Sequence, residues 1–131
     1  MRDMEKDKIA LVLVGHGSVL AYNREMIEAL ANMIKERGVY DIVEHSFLQL
    51  NEPLLEDVLM GLASNGVGKI VVSPVFIAKG VHTTSDITEV IAKVKKKNPE
   101  IRIGYAEPFG ADPRIVDILL DRAREAALQI E

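Results

Sequence analysis

Ile9-Ala10-Leu11-Val12-Leu13-Val14, followed at once by Gly15-His16-Gly17-Ser18, decides the fold of this chain. Six apolar residues without polar alternation read as a strand covered on both faces, the habit of a parallel sheet. A second such run, Ile70-Val71-Val72-Ser73-Pro74-Val75-Phe76-Ile77, leads into Lys79-Gly80-Val81-His82-Thr83-Thr84. If both runs are parallel strands, His16 and His82 emerge together at the carboxyl edge of one sheet. Open α/β sheets bind their ligands at that edge. Imidazole ligates divalent transition metals and accepts protons near neutral pH, so the edge is suited to holding a metal ion or moving a proton.

Outward from these runs, apolar strands alternate with amphipathic segments. The strands fall at residues 8–14, 41–48, 69–74 and 102–106. The spacing predicts helices over 23–37, 53–64, 85–97 and 113–129. The first carries the stripe Met26, Ile27, Leu30, Met33 and Ile34, the second Leu55, Val58, Leu59 and Leu62, the third Ile87, Val90, Ile91 and Val94. Pro53 suits a first helical turn, and Asp112-Pro113 an N-cap and first-turn pair. Four βα units predict a three-layer, doubly wound α/β fold with a four-stranded parallel sheet in the order 2-1-3-4. That order reverses direction between strands one and three and opens a crevice between the loops of His16 and His82. Residues 1–131 read as one domain, without repeat or linker.

Composition narrows the function. Of 131 residues, 48% are hydrophobic and 27% charged, enough for a core and an ordinary soluble surface. A net charge of −4 argues against nucleic acid as the main partner. There are no cysteines, which removes disulfides, thiolate catalysis and iron–sulfur clusters; a transition metal must be held by the three histidines, carboxylates or water. The charged start Met1-Arg2-Asp3-Met4-Glu5-Lys6-Asp7-Lys8 does not read as a signal peptide, and no apolar run approaches the ~20 residues of a membrane span. A cytoplasmic location is the expectation.

The smaller motifs have competing readings. Gly15-His16-Gly17-Ser18 is either an ordinary turn with a solvated histidine or a ligand loop; the chain contains neither the P-loop nor the dinucleotide glycine pattern, and without Gly-x-Ser-x-Gly Ser18 is a poor nucleophile candidate. Thr83, Thr84, Ser85 and Asp86 are all capable caps for the third helix, whose positive start favours a neutral His82 able to ligate. His45, inside the second strand, reads as structural or surface. Glu52 either serves the dipole of the second helix or meets a substrate, metal or proton. The run Lys93, Lys95, Lys96, Lys97 reads as a solvated helix end.

Taken together, Leu13-Val14-Gly15-His16-Gly17-Ser18, Glu44-His45-Ser46-Phe47-Leu48-Gln49-Leu50-Asn51-Glu52-Pro53 and Pro74-Val75-Phe76-Ile77-Ala78-Lys79-Gly80-Val81-His82-Thr83-Thr84-Ser85-Asp86-Ile87 resemble the small form of the class II tetrapyrrole chelatases. These are the short, CbiX-type sirohydrochlorin cobaltochelatases and the closely similar nickel-inserting sirohydrochlorin chelatases. The resemblance spans nearly the whole chain. It implies a chelatase fold, a homodimer in place of the two units of longer relatives, and no tightly bound cofactor. It implies that His16 binds metal and accepts a proton, that His82 is the second metal ligand, and that Glu52, Ile77, Ala78, Lys79, Gly80, Val81 and His82 line the tetrapyrrole site. Many longer relatives carry glutamate where this chain has Gln49, which cannot act as a carboxylate base.

The implied reaction inserts Co2+ into sirohydrochlorin, an anionic tetrapyrrole, with release of two protons in anaerobic cobalamin (vitamin B12) biosynthesis. The alternative is Ni2+ insertion on the way to coenzyme F430. Two imidazoles with water in the remaining positions would hold a departing ion better than a closed cage. Imidazole does not choose cobalt over nickel. Readings from other classes are a non-catalytic metal, phosphate or tetrapyrrole-binding module, and a metal-dependent hydrolase drawing on Asp86 and Glu52.

Overall fold

The computed structural model describes residues 8–130, with Val81 and His82 described by their backbone alone. The charged N-terminal segment discussed above otherwise lies outside the described residues. Four strands, β1 (Ile9–Gly15), β2 (Ile42–Phe47), β3 (Lys69–Pro74) and β4 (Arg102–Tyr105), alternate with four helices, α1 (Ala21–Arg37), α2 (Leu55–Ser64), α3 (Val81–Lys97) and α4 (Pro113–Ala127). All strand pairs are parallel and the order is β2-β1-β3-β4, as the alternation predicts. The register pairs Leu11 with both Val43 and Val71, and Val12 with both Glu44 and Val72, so each rung presents one face of the pleat.

The central strand β1 is apolar on both faces because both are covered. Ala10, Val12 and Val14 join Ile70 and Val72 against Leu55, Leu59 and Leu62 of α2 and Ile87, Ile91 and Val94 of α3. On the other face Leu11, Leu13 and Val43 meet Ala31, with Leu30 and Ile34 of α1 packed beside them. Each fully buried aliphatic side chain contributes about 1.5–3 kcal/mol, so these two layers supply most of the driving force for folding. The stripes predicted for α2 and α3 are the buried ones. On α1 the prediction needs correction: Met26 and Met33 are exposed, and Ala31 takes the central contact with the sheet.

Ser46 is a fully buried polar residue, and its hydroxyl donates to the Leu13 carbonyl at 2.8 Å. This bond ties β2 to β1 two residues below the histidine loop. Ser46→Ala is expected to cost about 1–2 kcal/mol, since it deletes a buried hydrogen bond and adds no packing. Urea denaturation checks this, with a lower midpoint and an unchanged slope as the expected result.

Several element boundaries depart from expectation. α2 begins at Leu55 instead of Pro53, because the chain first curls back: the Phe47 N–H donates to the Pro53 carbonyl at 2.9 Å, and Leu54 lies in a parallel bridge with Phe47. α1 begins two residues early. α3 begins at Val81, four residues before the expected start. The threonines there do not cap from outside. Thr83 donates its hydroxyl back to the Gly80 carbonyl at 3.2 Å, and Thr88 donates to the Thr84 carbonyl at 2.6 Å. Such back-bonding lets Thr lie within a helix where the sequence suggests a cap. α4 starts where Asp112-Pro113 predicts, with the Asp112 carboxylate accepting the Arg114 N–H at 2.9 Å. Side-chain and backbone hydrogen bonds from Arg114 hold that carboxyl well below the usual carboxylate range. α4 ends at Ala127 and continues as a 3₁₀ turn, Leu128–Ile130.

Candidate active site

Gly17 fixes the geometry of the first histidine loop. Its φ is +101°, and a Cβ there would sit 1.8 Å from the Gln49 carbonyl oxygen. Only glycine lets the loop after β1 run this close to the loop after β2. The loops are then laced together. The Leu48 N–H donates to the Gly15 carbonyl at 3.0 Å, and the Ser18 N–H donates to the Asn51 side-chain oxygen at 2.8 Å. The Ser18 hydroxyl accepts the Leu20 N–H at 3.1 Å, the role of a turn former, in keeping with the poor nucleophile read from the sequence.

His16 stands exposed at this edge, above a cleft of about 250 Å³ whose walls include Asn23, Met26, Phe47, Asn51, Val75 and Phe76. The Phe76 ring meets the imidazole edge-on, centroids 6.4 Å apart, and limits how it turns. The Gln49 side-chain nitrogen lies 3.3 Å from His16 Nε2. The amide nitrogen is placed to donate to Nε2 in the tautomer that leaves that nitrogen an acceptor.

The structure brings the other candidates to the same edge. His82 is the second residue of α3, which follows β3, the neighbour of β1. Ile77, Ala78 and Lys79 are exposed in the loop between β3 and α3, and Gly80 is the residue before the helix. The Lys79 ammonium pairs with Glu107, beyond β4, at 2.9 Å, and the hydrogen bond from Glu107 raises the Lys79 pKa. Glu52 is exposed in the loop after β2, two residues before the N-cap of α2. The first turn of α2 already holds Glu56 and Asp57, so the helix dipole is served without Glu52. His45 lies within β2, its ring edge-on to Phe47 and 3.9 Å from Glu28 of α1, which favours the structural reading.

Three contributors were missed in the sequence. Asn51 looks like any loop residue until Ser18 is folded against it. Glu107 acts across two loops, which no local pattern reveals. Tyr105 meets Thr84 and so ties the start of α3 to β4, burial pushing its phenol up. Among the described residues no three His, Asp or Glu side chains converge as a metal cage.

The parallel four-stranded sheet carries one histidine in the loop after β1 and a second at the start of the helix after β3, both at its carboxyl edge. The family model of CbiX matches residues 10–126, and the chain belongs to the CbiX family. The sirohydrochlorin cobaltochelatase of Methanopyrus kandleri is 40% identical, over 90% of this chain and 96% of that protein. A CbiX protein of cobalamin (vitamin B12) biosynthesis from Marinobacter aquaeolei superposes with a TM-score of 0.76 at 27% identity, covering 92% of this chain and 98% of the other. The sirohydrochlorin chelatase SirB of Bacillus subtilis, solved with cobalt, gives 0.83 at 31% identity, covering 90% of this chain but 50% of the longer SirB chain.

Proposed function

We propose that this chain is a sirohydrochlorin cobaltochelatase, inserting Co2+ into sirohydrochlorin with loss of two protons in anaerobic cobalamin synthesis. The observation that carries the reading is His16: exposed, braced by Phe76 and 3.3 Å from the Gln49 amide, at the carboxyl edge of the sheet in a chain 40% identical to a protein so named. His16 and the His82 position supply two imidazoles for an ion that must remain able to leave. His16 takes a pyrrole proton as the ion enters, and Gln49, being neutral, adds no charge to retain it. Glu52 and residues 77–82 receive the macrocycle. Co2+ is substrate here, and no cofactor is tightly bound. Residues 1–131 act as one chelatase domain in the cytoplasm and pair as a homodimer, with neither nucleic acid nor membrane as partner. Among the described residues no helix is long and apolar enough to cross a membrane.

Lys79 is the cation we assign to the carboxylates of the substrate. Lys79→Met is expected to raise KM for sirohydrochlorin roughly five-fold, the worth of one exposed ion pair, with kcat little changed. A fall in kcat at constant KM would remove Lys79 from substrate binding.

The function is tested by anaerobic absorbance spectroscopy with sirohydrochlorin in large excess over protein, with Co2+, Ni2+ or Fe2+. Many turnovers per protomer with Co2+ are expected. Conversion that stops at one equivalent would make the protein a binding module, and faster turnover with Ni2+ would reassign its metal.

A further inference from the structure

The end of β4 and the loop after it carry no histidine, yet they are bonded to the segments beside both. The Phe109 and Gly110 N–H groups donate to the Phe76 and Ile77 carbonyls at 3.0 and 2.7 Å. Phe76 is the ring set against His16. Glu107 pairs with Lys79 at 2.9 Å, three residues before His82. Tyr105 shares a side-chain hydrogen bond with Thr84, two residues after it. Residues 105–110 therefore back residues 76–84.

The Tyr105–Thr84 contact follows from two periodicities. β4 pairs with β3 so that Ile103 lies beside Ile70 and Tyr105 beside Val72. Ile70 and Val72 belong to the layer under α2 and α3, and Ile103 and Tyr105 face the same way and pack against it. On α3, Ile87, Ile91 and Val94 meet that layer. Thr84, three residues before Ile87, continues the stripe toward the helix start. Each column thus ends in a hydroxyl. Tyr105 is half-buried, where a phenol needs a hydrogen-bond partner, and Thr84 provides one.

The tie matters because α3 starts without a capping side chain. Its N-cap is Gly80, which has none to offer. Thr83 gives its hydroxyl to the Gly80 carbonyl, a bond that satisfies none of the open N–H groups of the first turn. The Thr84 N–H donates to the Gly80 carbonyl at 3.0 Å and closes the turn that contains His82. Helix ends fray, and fraying here would displace residue 82.

We propose that Tyr105 is a positioning residue for the metal site: through Thr84 it holds the first turn of α3, and so keeps residue 82 in place across the sheet edge from His16. This rests on the function proposed above and adds a residue that acts without touching the ion. Its signature lies in metal use. Where the turn is closed only part of the time, the apparent affinity for Co2+ falls by that fraction, and the chemistry of the closed state is unaltered.

Tyr105→Phe removes the hydroxyl and keeps the ring. In anaerobic initial rates it should raise KM for Co2+ roughly five-fold, the worth of one hydrogen bond, with kcat and the KM for sirohydrochlorin within about two-fold of the parent chain. Thr84→Val should do the same, and the double variant should be no worse than either, because both remove one bond. Thr84→Ser, which keeps a hydroxyl, should recover the parent KM. Hydrogen exchange followed by mass spectrometry should quicken in residues 80–86 of Tyr105→Phe and not in the strands. An unchanged KM for Co2+ in Tyr105→Phe overturns the proposal. So do losses that multiply in the double variant, a Thr84→Ser as impaired as Thr84→Val, or a lower kcat with faster exchange throughout the chain. A parent chain that inserts no Co2+ overturns the proposed function itself, and the positioning role with it.

Discussion

His16→Ala is expected to lower catalysed metallation at least 100-fold while leaving the fold intact. On the proposed function the loss is large because one imidazole does two jobs: it holds the incoming ion and accepts a proton from the macrocycle. Proton transfer by a positioned base is worth about 10²–10⁴-fold on its own. Stability should hardly change, since the ring is exposed and its contacts are an edge-on approach to Phe76 and the amide of Gln49. Steady-state absorbance kinetics, with circular dichroism as the folding control, checks this. A loss smaller than ten-fold at limiting metal would take His16 out of the chemistry.

Gly17→Ala is the second large effect, and it acts through the backbone. Alanine at a φ of +101° is strained, and its Cβ would strike the Gln49 carbonyl. Strain and clash together are expected to cost about 3 kcal/mol or more, because the loops are held by Leu48–Gly15 and Ser18–Asn51 bonds that must shift to make room. Gly38 is the internal comparison. It has a φ of +65° at the end of α1 but nothing within 4 Å of the Cβ position, so Gly38→Ala should cost only about 1 kcal/mol. Urea unfolding of both variants separates strain from clash. Equal losses would mean that the loop yields freely and that Gly17 does not set the position of His16.

The comparison of these two glycines shows what a sequence can and cannot convey. Four apolar strands alternating with amphipathic helices were enough for the parallel sheet and its order, and the two runs that end in histidine loops for the shared edge, because burial on both faces leaves a one-dimensional signature. The start of α3 was not legible: Thr83, Thr84 and Ser85 look like caps, and only the folded helix shows threonine hydroxyls turned back onto carbonyls. Asn51 and Glu107 act on residues 33 and 28 positions away, across loops that meet only after the sheet forms. The last helix was legible from Asp112-Pro113, and the Asp112 carboxylate caps that start as expected.

The central claim is that the residue-16 and residue-82 histidines form one metal-inserting site at the carboxyl edge of the sheet. It is tested most directly by initial rates of anaerobic Co2+ insertion into sirohydrochlorin for the unaltered chain, His16→Ala, His82→Ala and the double variant. Residues that act as a unit lose their effect together, so the double variant should be no slower than the slower single variant, all three approaching the uncatalysed rate. Multiplicative losses would place the two histidines at separate tasks, and a single variant that keeps the full rate would contradict the shared site.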